Sequence, residues 1–144
     1  PGWQSSSPQI LLENLHAAGV NGLVTVMPTG SQQALPFVPV CDVLFVDGDH
    51  SFEAASADLS GYMPKVRPGG TMMVHDVGPG DMGVVRAVDA VLMPASEEWT
   101  VQQRVDSAVV ARRAEMGEPA GRFLGELLAN PVEAGRVPGH RRLR

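Results

Sequence analysis

Acidic and imidazole side chains follow two apolar runs of this chain. The sequence Asp-Gly-Asp-His at 47–50 comes directly after Val43–Val46, and His75-Asp76 comes directly after Thr71–Val74. In an open α/β sheet, ligands bind just beyond the carboxyl ends of the strands. If both runs are strands of one sheet, these side chains converge on one crevice, where they could bind a metal or transfer a proton.

The N-terminal part of the chain predicts a helix, a strand and a second short helix. Ser7 is a typical helix cap with Pro8 at the first helical position, and Gly19 supplies a stop. Leu23–Met27 is β-rich and lies between Gly and Pro, which favours a strand. Ser31–Leu35 predicts the short helix.

The central part predicts the strands that carry the acidic groups. Val43–Val46 shows no polar alternation, which is typical of a parallel strand covered on both faces. Ser51 is expected to cap a helix that runs to about Val66, and Arg67–Gly70 to break it and turn the chain into the next strand.

The C-terminal part predicts a helix at Gly83–Leu92 and an antiparallel strand pair at Trp99–Gln103 and Ser107–Ala111. A further amphipathic helix is predicted at 119–129, and a disordered basic tail at 135–144. The alternation of strands and helices predicts an α/β sheet with right-handed crossovers, mostly parallel and with an antiparallel C-terminal strand pair.

Composition narrows the functional class. The chain has 144 residues, of which 44% are hydrophobic, and a formal net charge of −5. This charge argues against a nucleic-acid partner, and no apolar run approaches the length of a membrane span. A single cysteine, Cys41, cannot form an internal disulfide. We therefore expect a protein of the reducing cytoplasm.

The segment from about Gln9 to Arg113 resembles the class I S-adenosylmethionine-dependent methyltransferases. Within them it is most similar to small-molecule O-methyltransferases of the methyltransferase domain 24 type, whose fourth strand ends in Asp-Gly-Asp-His. The matching sequence lies at 14–20, 47–52, 58–59, 67–71 and 74–76. The resemblance implies a Rossmann-like methyltransferase sheet in a domain spanning 1–113, with a short helix and basic tail at 114–144.

The resemblance also implies a divalent cation, usually magnesium, held by Asp47 and Asp76. His75 stands where several relatives carry another acid, so it becomes a third candidate ligand. Oxygen ligands suit magnesium, whereas imidazole shifts the preference toward softer transition metals, and the identity of the metal stays open. As an alternative, His75 orients Asp76 without binding the metal.

Methyl transfer to a hydroxyl needs a base, and the cation would lower the hydroxyl pKa. Asp49 is the first candidate for the base, and His50 is the alternative because imidazole titrates near neutrality. Asp49 could instead cap the following helix. By resemblance, Gly30 and Ser31 contact the adenine ring of the cofactor, together with Asp47 as a further cofactor-binding residue; a plain turn at Gly30-Ser31 is the alternative.

One part of the family pattern is not found in this sequence. No G-x-G-x-x-G motif is present, and Gly78-Pro79-Gly80 follows the wrong strand for a cofactor loop. Pro1-Gly2-Trp3 resembles the residues that follow the ribose-binding acid. We therefore expect a sheet that lacks its first two strands, either as a marginal monomer or completed by a partner chain or a swapped homodimer.

The sequence thus predicts a partial S-adenosylmethionine-dependent, metal-assisted O-methyltransferase for a small hydroxylated substrate, such as a sugar or secondary metabolite. Two alternatives stay open. One is a non-catalytic remnant that serves as an interaction module through its exposed apolar surface. The other is a metal-dependent hydrolase, which the Asp-x-Asp-His and His-Asp groups could serve, although the further histidines and acids of such sites are not found.

Overall fold

The computed structural model of the protein describes residues 8–117. These residues belong to two compact units, 8–36 and 37–117. The predicted cap Ser7, the predicted helix at 119–129 and the predicted tail at 135–144 lie outside the described residues. Among the helices of residues 8–117, none has the length and apolar character needed to cross a membrane.

The first unit contains two helices and no strand within its described residues. Helix α1 spans Pro8–Ala17 and helix α2 spans Ser31–Ala34, followed by a 3₁₀ turn at Leu35–Phe37. Gly19 takes a φ of +69°, the left-handed conformation that glycine adopts readily after a helix end. The predicted helices are therefore confirmed.

The predicted strand at Leu23–Met27 is wrong. The segment has no regular structure, and the Leu23 side chain is 86% exposed. Its amides bond locally instead, since Leu23 N donates to Val20 O at 2.8 Å. A β-rich sequence forms a strand only where a neighbouring strand accepts its hydrogen bonds, and the sheet of residues 8–117 offers this segment no pairing.

The second unit is a four-stranded sheet with helices packed on it. Strand order is β1-β2-β4-β3; β1 and β2 are parallel, and the other two pairings are antiparallel. The antiparallel C-terminal pair is as predicted, and the parallel part is shorter because Leu23–Met27 stays outside the sheet. The elements are β1 (Cys41–Val46), α3 (Phe52–Tyr62), a 3₁₀ turn (Met63–Lys65), β2 (Val66–Val74), α4 (Met82–Ala87), a π turn (Val88–Leu92), a 3₁₀ turn (Met93–Ala95), β3 (Trp99–Val105) and β4 (Ala108–Arg113).

The predicted turn at Arg67–Gly70 is an irregularity inside β2. Val66 pairs with Cys41 and Thr71 pairs with Val43, so β2 advances five residues while β1 advances two. Gly69 has a φ of +76°, and a Cβ on Gly70 would lie 2.9 Å from Asp42 O. The two glycines therefore form a bulge and do not end the strand. Helix α3 ends at Tyr62, earlier than the predicted Val66, because a 3₁₀ turn at Met63–Lys65 follows it and β2 begins at Val66.

The core lies between α3, α4 and one face of the sheet. Its largest fully buried side chains are Leu59, Met72, Leu92, Val66, Val74 and Val88. Full burial of a side chain of this size contributes about 1.5–3 kcal/mol. Side chains alternate between the two faces of a strand, and on the other face Val43 is 58% and Phe45 is 53% exposed. The prediction that β1 is covered on both faces is therefore wrong for the described residues.

Candidate functional site

The ends of β1 and β2 place Asp47, His75 and Asp76 together. Because the two strands are parallel, their carboxyl ends lie at the same edge of the sheet, and His75 N continues the ladder by donating to Val46 O at 3.0 Å. His75 Nδ1 lies 3.2 Å from Asp47 Oδ1 and 3.2 Å from Asp76 Oδ2. One imidazole thus touches both carboxylates.

Asp76 has an uncommon backbone conformation, with a φ of +54°. Asp and Asn adopt this left-handed region more readily than other residues with a Cβ, and such conformations cluster at functional sites. Ser107 Oγ, in the turn between β3 and β4, donates to Asp76 Oδ1 at 3.5 Å and lies 3.4 Å from His75 Nε2. The second strand end is therefore held from β3–β4 as well as from β1.

His50 brings a second imidazole to the same carboxylate. Its Nε2 lies 3.2 Å from Asp76 Oδ2, and its Nδ1 lies 2.7 Å from Asp81 Oδ1. The hydrogen bond to Asp81 raises the pKa of His50, and the negative charges of Asp81, Asp76 and Asp47 add to this, while partial desolvation opposes it. The ring is 41% exposed, so it is accessible to a small molecule.

Asp47, His50 and Asp76 form a group with the spacing of metal ligands. One ligand atom from each lies within 4.8 Å of the other two. Two carboxylate oxygens and one imidazole nitrogen are donors that divalent cations accept. The residues present therefore fit a divalent cation, with His50 in the compact group of three and with His75 Nδ1 within 3.2 Å of both carboxylates.

Asp49 is not a member of this group. Its Oδ1 accepts a hydrogen bond from Ser51 N at 2.8 Å. Hydrogen bonds from the Ser51 side chain and backbone lower the pKa of Asp49, which makes it a weaker base. Ser51 is the N-cap of α3, as predicted, since its side chain accepts from Ala54 N at 3.3 Å. Of the two candidate bases, His50 is the one in contact with Asp76.

Helices α3 and α4 both pack closely against the loop at 47–50. Asp58 is a buried residue of α3, and its Oδ2 would lie 3.1 Å from a Cβ on Gly48. Gly83 of α4 approaches the loop so closely that a Cβ there would collide with His50 O and lie 2.9 Å from Phe52 N. Small residues at 48 and 83 thus let both helices contact the loop backbone.

A family model described as a methyltransferase domain matches residues 3–77. The chain belongs to this family of methyltransferase domains. The match includes the strands β1 and β2 and all three residues of the metal-ligand group, so the carboxylates at the strand ends lie within the shared part of the domain.

Solved O-methyltransferases have a similar fold. A putative O-methyltransferase from Klebsiella pneumoniae is 23% identical, with a TM-score of 0.62 over 77% of this chain and 59% of that one. The O-methyltransferase NovP is 23% identical, with a TM-score of 0.63 over 76% and 46%. An O-methyltransferase from Bacillus cereus in complex with SAH is 18% identical, with a TM-score of 0.60 over 78% and 60%. The present methyltransferase chain thus spans about half to three fifths of the length of these structures.

The other predicted cofactor-binding residues of this methyltransferase chain lie in the first unit. Gly30 is the N-cap residue of α2, and its carbonyl accepts from Ala34 N at 3.0 Å. Ser31 is the first residue of that helix. Their contact with adenine stays a prediction, as does that of Asp47 with the cofactor.

Sequence reasoning missed Asp81 and Ser107. Asp81 precedes a predicted helix, which indicates an N-cap, yet it makes no side-chain cap hydrogen bond and instead contacts His50. That absence of capping is visible only in the structure. Ser107 is 31 residues from Asp76 in the chain, and only the antiparallel pairing of β4 with β2 brings the two together.

Proposed function

We propose that this chain forms the metal-binding part of an S-adenosylmethionine-dependent O-methyltransferase that acts on a small hydroxylated molecule. The observation that carries the proposal is the convergence of Asp47, His50 and Asp76 within 4.8 Å at two parallel strand ends of a methyltransferase domain. The names of the structural relatives support an oxygen acceptor, and the SAH complex of the Bacillus cereus protein supports the cofactor.

Asp47 and Asp76 would hold the divalent cation, and magnesium is the proposed metal because both donors are carboxylates. When bound, the cation would lower the pKa of the acceptor hydroxyl. His75 contacts both carboxylates through Nδ1, so its proposed role is to orient them. Direct ligation by His75 is the alternative, and it would favour softer transition metals.

His50 is the proposed general base. Its Nε2 lies 3.2 Å from Asp76 Oδ2, and it stays available to an acceptor hydroxyl when Asp47 and Asp76 are the ligands of the cation, whereas the Asp49 carboxylate accepts a hydrogen bond from Ser51 N. In that role Nε2 would take the proton that the acceptor hydroxyl loses when its oxygen bonds to the methyl carbon, and the electron pair of the broken carbon–sulfur bond would stay on sulfur. S-Adenosylmethionine supplies that electrophilic methyl group, and Gly30, Ser31 and Asp47 are the proposed contacts to it.

The test is calorimetric titration of the chain with Mg²⁺, comparing Asp47→Asn with Asp89→Asn. Both substitutions remove one negative charge, but Asp89 is exposed and is not among the site residues. We expect Asp47→Asn to weaken Mg²⁺ binding at least about tenfold and Asp89→Asn to leave it unchanged. Equal affinity in the wild type and Asp47→Asn would overturn the metal site.

A second titration with S-adenosylmethionine, followed by transfer of radiolabelled methyl to a panel of sugars and phenols, tests the reaction. Methyl transfer that requires Mg²⁺ supports the proposal. Hydrolysis of a phosphate ester without a methyl donor would replace it with the hydrolase alternative.

The interaction-module alternative has one observation in its favour. Val43 and Phe45 are exposed on β1, which is an edge strand of the sheet in residues 8–117, and exposed apolar edges promote association. Self-association without binding of S-adenosylmethionine would favour this interaction function. Self-association with binding of S-adenosylmethionine would instead favour a homo-oligomeric enzyme. Two further features accord with the proposal. The half-buried Cys41 forms no disulfide, in keeping with a proposed cytoplasmic location. The formal net charge of −5 is in keeping with a partner other than nucleic acid.

A further inference from the structure

His50 lies between two carboxylates, one at each ring nitrogen. Its Nδ1 is 2.7 Å from Asp81 Oδ1, and its Nε2 is 3.2 Å from Asp76 Oδ2. A neutral imidazole carries a single N–H, so it can donate to only one of them. Charge-assisted hydrogen bonds of about 2.7–2.9 Å are the strong ones. The contact with Asp81 therefore outweighs the contact with Asp76.

We infer that Asp81 is a positioning residue, which holds neutral His50 as the Nδ1–H tautomer and leaves Nε2 as a proton acceptor beside Asp47 and Asp76. The choice of tautomer follows from the hydrogen bond of Nδ1 to Asp81 at 2.7 Å and the longer contact of Nε2 with Asp76 at 3.2 Å. Its use in methyl transfer rests on the proposed function. Without Asp81, the ring would donate from Nε2 to Asp76 and could not take a proton there.

The backbone around Asp81 fixes its carboxylate relative to the ring. Asp81 N donates to Gly78 O at 3.0 Å, and Asp81 O accepts from Val85 N at 3.1 Å, so the backbone is held on both sides of the Asp81 Cα. The close approach of Gly83 to His50 O seats α4 directly against the loop that carries the ring. Asp81 is the N-cap residue of α4, but its side chain makes no cap hydrogen bond. The carboxylate is therefore available to bond His50.

The test is nitrogen-15 NMR of the histidine rings in the full chain without metal, at an alkaline pH where imidazole is neutral. The His50 signals are assigned by comparison with His50→Gln. We expect the Nδ1–H tautomer in the wild type and a shift to the Nε2–H tautomer in Asp81→Asn, because a neutral amide is the weaker acceptor. Asp89→Asn, which removes the same charge, is expected to keep the wild-type tautomer.

Asp81→Glu is the rescue variant, because a longer side chain can still present a carboxylate to Nδ1. It is expected to retain the Nδ1–H tautomer, and it keeps the inference testable if Asp81→Asn does not fold. An unchanged tautomer in a folded Asp81→Asn, or an Nε2–H tautomer in the wild type, would overturn the inference.

Two further readouts separate this inference from the proposed function. Asp81→Asn should bind Mg²⁺ within about twofold of the wild type, because the proposed ligands are the carboxylates of Asp47 and Asp76, whereas the side chain of Asp81 contacts His50. With an acceptor from the sugar and phenol panel, its kcat should fall by on the order of 10²-fold or more while KM stays unchanged. A tautomer shift with no methyl transfer in the wild type overturns the proposed function alone, whereas an unaltered kcat in Asp81→Asn overturns the catalytic use of the tautomer.

Discussion

His75 Nδ1 lies 3.2 Å from Asp47 Oδ1, which joins the first residue after β2 to the first residue after β1. The same nitrogen lies 3.2 Å from Asp76 Oδ2. A single imidazole thus contacts two carboxylates whose negative charges repel each other, and it fixes their relative positions. The geometry of the carboxylate pair therefore depends on a side chain that need not itself bind an ion.

His75→Ala should weaken Mg²⁺ binding by about 10–100-fold, the usual effect of losing a group that orients metal ligands. Isothermal titration calorimetry measures the affinity. His16→Ala is the matched control, because His16 is exposed on α1 in the first unit. An affinity equal to that of the wild type would show that Asp47 and Asp76 need no orientation by His75.

Asp76→Ala should be less stable than Asp76→Gly by about 1 kcal/mol, because a Cβ is costly at a φ of +54° and glycine is not restricted there. Urea unfolding measures the free energy of unfolding of both variants. Both lose the same carboxylate, so their difference isolates the backbone.

The same pair of substitutions at Asp89, in the helical segment Val88–Leu92, is the control. There the order should reverse, with glycine less stable than alanine by about 0.5–1 kcal/mol. The same order at both positions would contradict a strained backbone at Asp76.

Tyr62, the single tyrosine of the chain, should ionise above its ordinary pKa of 10.0, because burial raises its pKa and the charge of Asp58 adds to the rise. Absorbance of tyrosinate during an alkaline titration measures it. As the pH rises past the ordinary value, the unfolded chain loses this proton first and binds fewer protons than the native state. The stability contributed by Tyr62 is therefore complete below that pH and is lost as the pH rises through the native pKa.

The control for this pH dependence is Tyr62→Phe. Its free energy of unfolding should decline less steeply than that of the wild type above pH 10.0, since the ionisable group is gone. Identical slopes in the two proteins would show that the hydroxyl is not desolvated in the native state.

Leu59→Ala should lower the free energy of unfolding by about 2–5 kcal/mol, because Leu59 is fully buried between α3 and the sheet. Leu23→Ala removes the same atoms from a side chain that is 86% exposed, and its effect should stay within about 0.5 kcal/mol. Denaturant melts of the two variants provide the comparison. A small loss at Leu59 would place the centre of the core elsewhere.

Local sequence signals predicted those elements whose partners lie within the described residues. Val43–Val46 became β1 because β2 accepts its hydrogen bonds, and Ser51 became the cap of α3 through its own side chain. Leu23–Met27 has an equally strong β pattern, yet it forms no strand. Its sequence encodes the preference, but pairing depends on a neighbour.

The site could be predicted in part for the same reason. Asp47 and Asp76 follow strand ends, so topology alone brings them to one edge. The role of Asp49 depends on which way a loop side chain turns, and Ser51 N decides that. Asp81 reaches His50 across 31 residues of chain, a contact that no periodicity or motif encodes.

The contact of Gly83 with the loop also limits how this domain can diversify. A side chain at position 83 would press on His50 O and Phe52 N, so α4 would have to move as a body and carry Asp81 with it. Random mutagenesis aimed at new acceptors should therefore leave position 83 fixed and vary exposed positions farther along the chain, such as Asp89. The absence of a Cβ at Gly83 thus limits which substitutions this domain can accept near His50.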